Sequence, residues 1–356
     1  MNRASTFSEP KFNCDDAARL SAMLEYLDIK DNHEIQLGEY HHQNLYDEDA
    51  SKKLREQGVS PRKKELTFIL YHAVYARDLD VCLNTKQLKQ ILDLSATNEE
   101  VCGLRDRLAS AHSSKTRWDT KWKIYRVDTN GTVHACKGDR HRICLPGSYI
   151  VTGNPQRFPR IDDSIQILQP AHAHDLQPGC LYLFGETPDS HYDENAISRI
   201  YLNIKQQHLA NLVHEIGSRL NRYCVPYRLK CQLLERHQDR TDGTVLYVAR
   251  RNIQIVLRVL SHVAKQYRDC FCSAAPLFTK RLAPGIAAAE DAGSGESFGL
   301  QRMAVVADAL LAAATNGKER LTLVEIEQHF LTSQIAPDRP FIHAGNVDLF
   351  YWPRSK

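Results

Sequence analysis

The ten cysteines of this 356-residue chain include no CxxC pair and lie scattered from Cys14 to Cys272. That spacing excludes a zinc ribbon or a thioredoxin-type redox motif and reads as reduced thiols. The N-terminus, MNRASTFSEPKFN, has no apolar core of the kind a secretory signal carries, and no stretch approaches the length of a membrane span. A cytoplasmic protein without a membrane partner is expected. Charge of one sign is also missing, since 46 Lys and Arg face 43 Asp and Glu for a net +3. A global electrostatic case for nucleic acid is thereby removed, and any anion must be held by a local cluster. The P-loop ending GK[ST] is absent; GSGES, ending at Ser297, reads instead as a flexible loop entering a helix. His41-His42 and Cys270-Phe-Cys272 do not supply the converging ligands a zinc site needs, so no metal is expected.

What is present is the balance of a soluble globular protein, with 42% hydrophobic and 25% charged residues. Residues 1–13 are expected to be a disordered tail, and 14–115 a helical region. In that region KKELTFILYHAVYARDL carries Leu66, Ile69, Leu70, Ala73 and Val74 at helical spacing, and a second helix is expected at Thr85–Leu94. Both read as a packing layer without chemistry. Beyond, residues 116–352 read as an α+β domain. WKIYRVDTNGTVHACKG forms two alternating runs around Asn130-Gly131, a hairpin signal. RIYLNI alternates as a strand, and the helical face Leu209, Leu212, Val213, Ile216 and Leu220 follows it. VPYRLKCQLL and TVLYVA are strands, the next helix carries Ile253 to Val263, and later helices start near Phe298 and Leu323. The order predicts a mixed or antiparallel sheet with helices packed on one face.

Basic residues mark the candidate site. Arg228 and Lys230 sit two apart on a strand, so their side chains share a face. Arg199, Tyr201 and Asn203 alternate likewise on the strand before. If those strands pair, they form a face with two or three cations and a phenol; alternation alone fits a solvated polar face better. Arg240 lies at a turn with Asp242, Lys280 in a loop between helices, and Arg302 one turn into the Phe298 helix.

RIYLNI, VPYRLK, DRTDGTVLYVARR, PLFTKRLAPGIAAAED, GESFGLQR and DRPFIHAG occur in the order and approximate spacing of the HopA-type effector family, which the chain resembles. That family includes type III secretion effectors of plant pathogens. It also includes standalone proteins of modified-peptide pathways, where a phosphotransferase-like kinase phosphorylates Ser or Thr of a precursor peptide. The HopA-like partner then eliminates phosphate to leave dehydroalanine or dehydrobutyrine, with a catalytic fold similar to bacterial phosphothreonine lyases. The resemblance therefore implies a phosphoserine/phosphothreonine lyase without cofactor, partnered by a phosphorylated peptide and a kinase, alone or as an oligomer. An effector secreted into a host cell and a non-catalytic phosphopeptide-binding module are the alternatives.

Such an elimination needs a base for the Cα proton and cations for the phosphate. A lysine serves only where desolvation or a neighbouring cation disfavours its ammonium form. Lys230, on an apolar-flanked strand beside Arg228, fits that description and matches the strand lysine of the phosphothreonine lyases. Arg199, Arg228, Arg240, Lys280 and Arg302 are expected to cradle the phosphate, because guanidinium binds its oxygens bidentately. Asn203 and Asp242 are expected in support. The lyases carry a first-strand histidine as general acid; RIYLNI has none, so either Tyr201 donates the proton or the Arg-bound phosphate leaves without one, with His191 and His208 nearby in sequence.

Overall fold

The computed structural model describes residues 11–29, 34–42, 47–78, 85–92, 99–189, 193, 196–293, 295–318 and 320–353. The expected tail falls largely outside them, but Lys11 and Phe12 are described and docked. Both backbone amides donate to the Glu327 carboxylate, and Phe12 is buried against Phe278 and Phe330. Asn13 then caps helix α1 (Cys14–Tyr26) by accepting from the Asp16 amide at 2.9 Å.

Three short antiparallel strands follow, β1 (Leu27–Ile29), β2 (Ile35–Leu37) and β3 (Tyr40–His42), a small sheet in a region that periodicity alone reads as helical. Ile35 and Leu37 alternate inward, and Gly38 at φ 58 makes the turn. Helices α2 (Glu48–Glu56) and α3 (Pro61–Leu70) come next, the latter with Ser60 as cap and Pro61 at its first position. A π-helical turn, Tyr71–Tyr75, continues α3. Helix α4 spans Thr85–Leu92, the last two residues of the expected helix lying outside the described residues, and α5 spans Leu104–Ala111.

The expected hairpin is part of a five-stranded sheet: β4 (Arg117–Val127), β5 (Val133–Lys137), β6 (Arg140–Cys144), β7 (Tyr149–Val151) and β8 (Ser164–Gln169), in the order β6-β5-β4-β8-β7. Its core, centred on Trp122, Ile124, Val133 and Ile165, is separate from the main one.

The main sheet has seven antiparallel strands in the order β14-β15-β11-β13-β12-β10-β9. These are β9 (His172–Ala173), β10 (Cys180–Phe184), β11 (Ile197–Leu202), β12 (Tyr227–Gln232), β13 (Thr244–Ala249), β14 (Lys280–Ala283) and β15 (Ile286–Glu290). Helices cover both faces, not one. On one face, Ile200, Leu229 and Leu246 lie under α6 (Leu209–Arg222) and α7 (Ile253–Gln266), where Gly217 lets α6 approach the Tyr227 hydroxyl. On the other lie the π-turn and α8 (Phe298–Thr315), capped by Ser297 and followed by α9 (Leu323–Thr332). The second layer was missed because the order of elements does not reveal which face a helix covers, and because its π-turn comes from the N-terminal region. A Cβ on Gly299 would stand 2.3 Å from the Tyr75 ring, so only glycine permits that packing. By length and composition α8 is apolar enough to cross a membrane, but half of it is buried inside the fold, with Phe298, Met303 and Val306 in the core.

Candidate functional site

On the face under the π-turn, cross-strand register sets two rows of side chains. The first runs Arg199, Tyr247, Arg228, Phe184, and the second Tyr201, Val245, Lys230, Tyr182. Strands β11 and β12 do not pair, as the simplest reading supposed; β13 lies between them. Its Tyr247 consequently separates the two arginines, whose guanidinium carbons lie 5.5 and 5.8 Å from its ring centre.

Above this floor is a cavity of about 690 Å³. Tyr71 and His72 of the π-turn form one wall. The loop joining β12 to β13 supplies Arg236, His237 and Arg240, and the segment leading into α8 supplies Asp291, Glu296 and Ser297. Four expected cations meet here: Arg199, Arg228, Lys230 and Arg240.

They fall into two classes. Arg199 is nearly buried, with its Nε 2.6 Å from Asp291 and an Nη donating to the Glu296 carbonyl at 3.0 Å. Burial works against its charge, but the Tyr201 and Tyr247 hydroxyls and Asp291 more than offset this and hold it above the usual guanidinium range. Arg240 grips Asp242 with Nε and one Nη, both at 2.7 Å, and reaches the Tyr71 hydroxyl at 2.7 Å. Burial opposes the Asp242 charge too, yet Arg240 holds its carboxyl down at about 2. In Arg240 the Asp242 charge likewise outweighs burial and lifts the guanidinium. Both arginines thus spend most of their fork on the protein. Arg228, exposed, and Lys230, half-buried, form no ion pair among the described residues. The charge of Lys230 is felt by Asp242, Tyr71, Tyr182 and Cys180, which places it at the centre of the floor.

Other expected site residues lie elsewhere. Lys280 is on edge strand β14, not in a loop, and its register with Ala288 puts it in the row of the opposite, apolar face. It pairs with Asp348 beneath Phe341 and Tyr351. Arg302 is buried behind the cavity, donating to the Pro340 carbonyl at 2.8 Å and lying over Phe298. Burial lowers it to about 10, which leaves it charged at neutral pH. Tyr201 is buried, and its hydroxyl has no hydrogen-bond partner among the described residues; burial raises it far above the usual phenol range, so it does not reach the cavity as a proton donor. Asn203 holds the Ala274 carbonyl at 3.0 Å, and Asp242 supports Arg240 from behind. His191 lies outside the described residues, and His208, in the turn before α6, is not among the residues lining the cavity.

The histidines that line it are His72 and His237, stacked at 5.5 Å. Arginine N–H groups approach the Nδ1 of each, Arg240 at 3.5 Å and Arg77 at 3.4 Å. This arrangement leaves the imidazole proton on Nε2. Burial first, then Arg240, depresses both, His237 to about 3. Neutral imidazoles therefore face the cavity as donors. In the unfolded chain each binds a proton near 6.5 that the folded protein refuses, so unfolding takes up protons and stability falls as pH drops from 6.5 toward 3. Replacing His237 by Gln should reduce that slope by about 1.4 kcal/mol per pH unit, one proton's worth. Urea midpoints of parent and variant between these pH values measure it; parallel curves would mean that His237 titrates normally. The comparison with the parent is needed because Asp16, raised to about 6 by burial, acts with the opposite sign over part of the window.

Sequence reasoning overlooked Tyr71, His72, His237, Tyr182 and Tyr247. Tyr247 and Tyr182 were detectable, since each stands in the alternation of its strand at the parity that faces the cavity. No local signal distinguishes the two histidines. Among the described residues no cluster of His, Cys, Asp and Glu has metal-site geometry.

The model of the HopA1 effector protein family matches residues 171–342, which include every expected site residue and the whole cavity except its π-turn wall. No curated protein matches the chain. Among solved structures, the effector protein from Pseudomonas syringae pv. tomato is 17% identical, with a TM-score of 0.37. That of Pseudomonas syringae pv. syringae is 16% identical, also with a TM-score of 0.37. Each alignment covers 46% of this chain and 63% of the other, so the chain spans less than two thirds of either effector structure.

Proposed function

For a chain whose residues 171–342 carry the HopA1 effector family region, we propose that the cavity is a phosphoserine or phosphothreonine site and that the protein β-eliminates the phosphate. The observation that carries this reading is the pair Arg228 and Lys230, cations on the cavity floor without a carboxylate partner among the described residues, flanked by two arginines already neutralised. Arg228 takes the phosphate bidentately, and the free N–H groups of Arg199, Arg240 and the two imidazoles complete its shell. Lys230 accepts the Cα proton, the released electron pair forms the Cα=Cβ bond, and the Cβ–O bond breaks to release phosphate. The product is a dehydroalanine or dehydrobutyrine peptide, and neither oxidant nor nucleotide is consumed. A phosphotransferase must supply the substrate, and a peptide precursor is its natural carrier.

Incubation with a phosphoserine peptide in EDTA should yield a product lighter by the elements of phosphoric acid, read by mass spectrometry. A product that keeps its hydroxyl would make the protein a phosphatase. Tight binding without any conversion would leave a phosphopeptide-binding module, the form an effector acting on host phosphoproteins would take.

A further inference from the structure

A second cavity of about 630 Å³ lies between the two sheets, with Arg228 and Phe184 in its lining. Arg228 lines both. The far wall of this groove is β6, an edge strand whose neighbour is β5 alone, so alternate backbone N–H and C=O groups point outward unpaired by the sheet. Natural edge strands are usually protected by charge, proline or a covering element. This one presents Ile143, 68% exposed, and Leu145 just beyond it, 64% exposed. Beside them Arg117 and Arg142 line the groove without an ion pair among the described residues.

We infer that this groove is a subsite for the peptide that flanks the phosphorylated residue, bound extended along β6. The inference rests on the first cavity being a phosphopeptide site, with which the groove is continuous through Arg228. An added strand gains affinity from main-chain hydrogen bonds and selectivity from alternate side chains. Arg142 and Ile143 point to opposite sides of β6. The flank selected is therefore one in which acidic and apolar residues alternate, the acids meeting Arg142 and Arg117 and the apolar groups meeting Ile143.

The test compares a fluorescein-labelled peptide, phosphoserine flanked by alternating Val and Glu, with N-acetyl-phosphoserine methylamide competing for it. The long peptide should bind the parent at least about ten-fold more tightly, and kcat/KM should favour it by a similar factor. In Ile143→Glu and Arg142→Glu that advantage should shrink to within about two-fold, and replacing Glu by Lys in the peptide should remove it from the parent. The peptide comparison needs no variant, so it does not depend on either variant folding. Equal affinity of long and short compounds, or an advantage that both variants retain, overturns the groove. If the short compound is turned over as well as the long one, the groove fails and the lyase stands. If the long peptide binds with its advantage yet nothing is converted, the groove stands and the lyase fails.

Discussion

Lys230→Arg and Lys230→Ala should lose turnover to the same extent, by roughly 10²–10⁴-fold in kcat, the range typical of a removed acid or base. That corresponds to about 3–5 kcal/mol of barrier at 1.36 kcal/mol per decade. The arginine variant makes the comparison decisive. It keeps the charge and reach of the floor cation, so phosphopeptide binding should persist, but a guanidinium stays protonated at any working pH and cannot accept the Cα proton. Arg228→Ala should behave in the opposite way, weakening binding by about ten-fold or more through loss of a charge-assisted hydrogen-bond pair of roughly 1.5–3 kcal/mol. Dehydro-product formation and fluorescence anisotropy, measured side by side, separate the two roles. Substantial turnover by Lys230→Arg would end the base assignment and move it toward the His72–His237 wall.

Asp242→Ala should cost about 3–5 kcal/mol of folding stability, the usual penalty for stripping the partner from a buried charge. The reason lies in Arg240, whose Nε and one Nη both rest on Asp242 at 2.7 Å, both side chains being buried. Tyr71 donates to the same carboxylate at 3.0 Å, so the loss also loosens the π-turn that walls the cavity. Replacing the pair together by apolar residues of similar size should recover most of the stability, because a buried ion pair offsets its own desolvation and little more. Chemical denaturation of both single variants and the double variant completes the cycle. A loss below about 1 kcal/mol for Asp242→Ala would show that water reaches Arg240. Arg240→Ala then tests a wall residue that offers the phosphate only its spare N–H, and its effect should be read first in stability. Arg302→Ala falls in the same class, since its hydrogen bonds end on Pro340 and Gln301.

Part of the site was legible because β-strand chemistry is local. A period of two places Arg228 with Lys230, and Arg199 with Tyr201, whatever the rest of the chain does. Alternation does not reveal which strand lies beside which, and the insertion of β13 between β11 and β12 put Tyr247 between Arg199 and Arg228. Nor does it reveal what covers a face. Tyr201 has the parity of the cavity floor but is sealed by Tyr75, and Lys280 falls in the apolar row because β14 joins the sheet edge in that register.

By itself the sequence determined the α+β class, the principal strands and helices of the C-terminal part, the hairpin at Gly131 and the parity of Arg228 and Lys230. All of these follow from spacings within one element, where a few residues suffice to set the pattern. The tertiary structure alone decided which cations remain available. Pairing depends on carboxylates distant in sequence, such as Asp291 for Arg199, 92 residues away, and Asp348 for Lys280, 68 residues away. It also decided that a helical region which reads as packing lends Tyr71 and His72 to the cavity, because burial and ion pairing depend on distance in space, which sequence separation does not set.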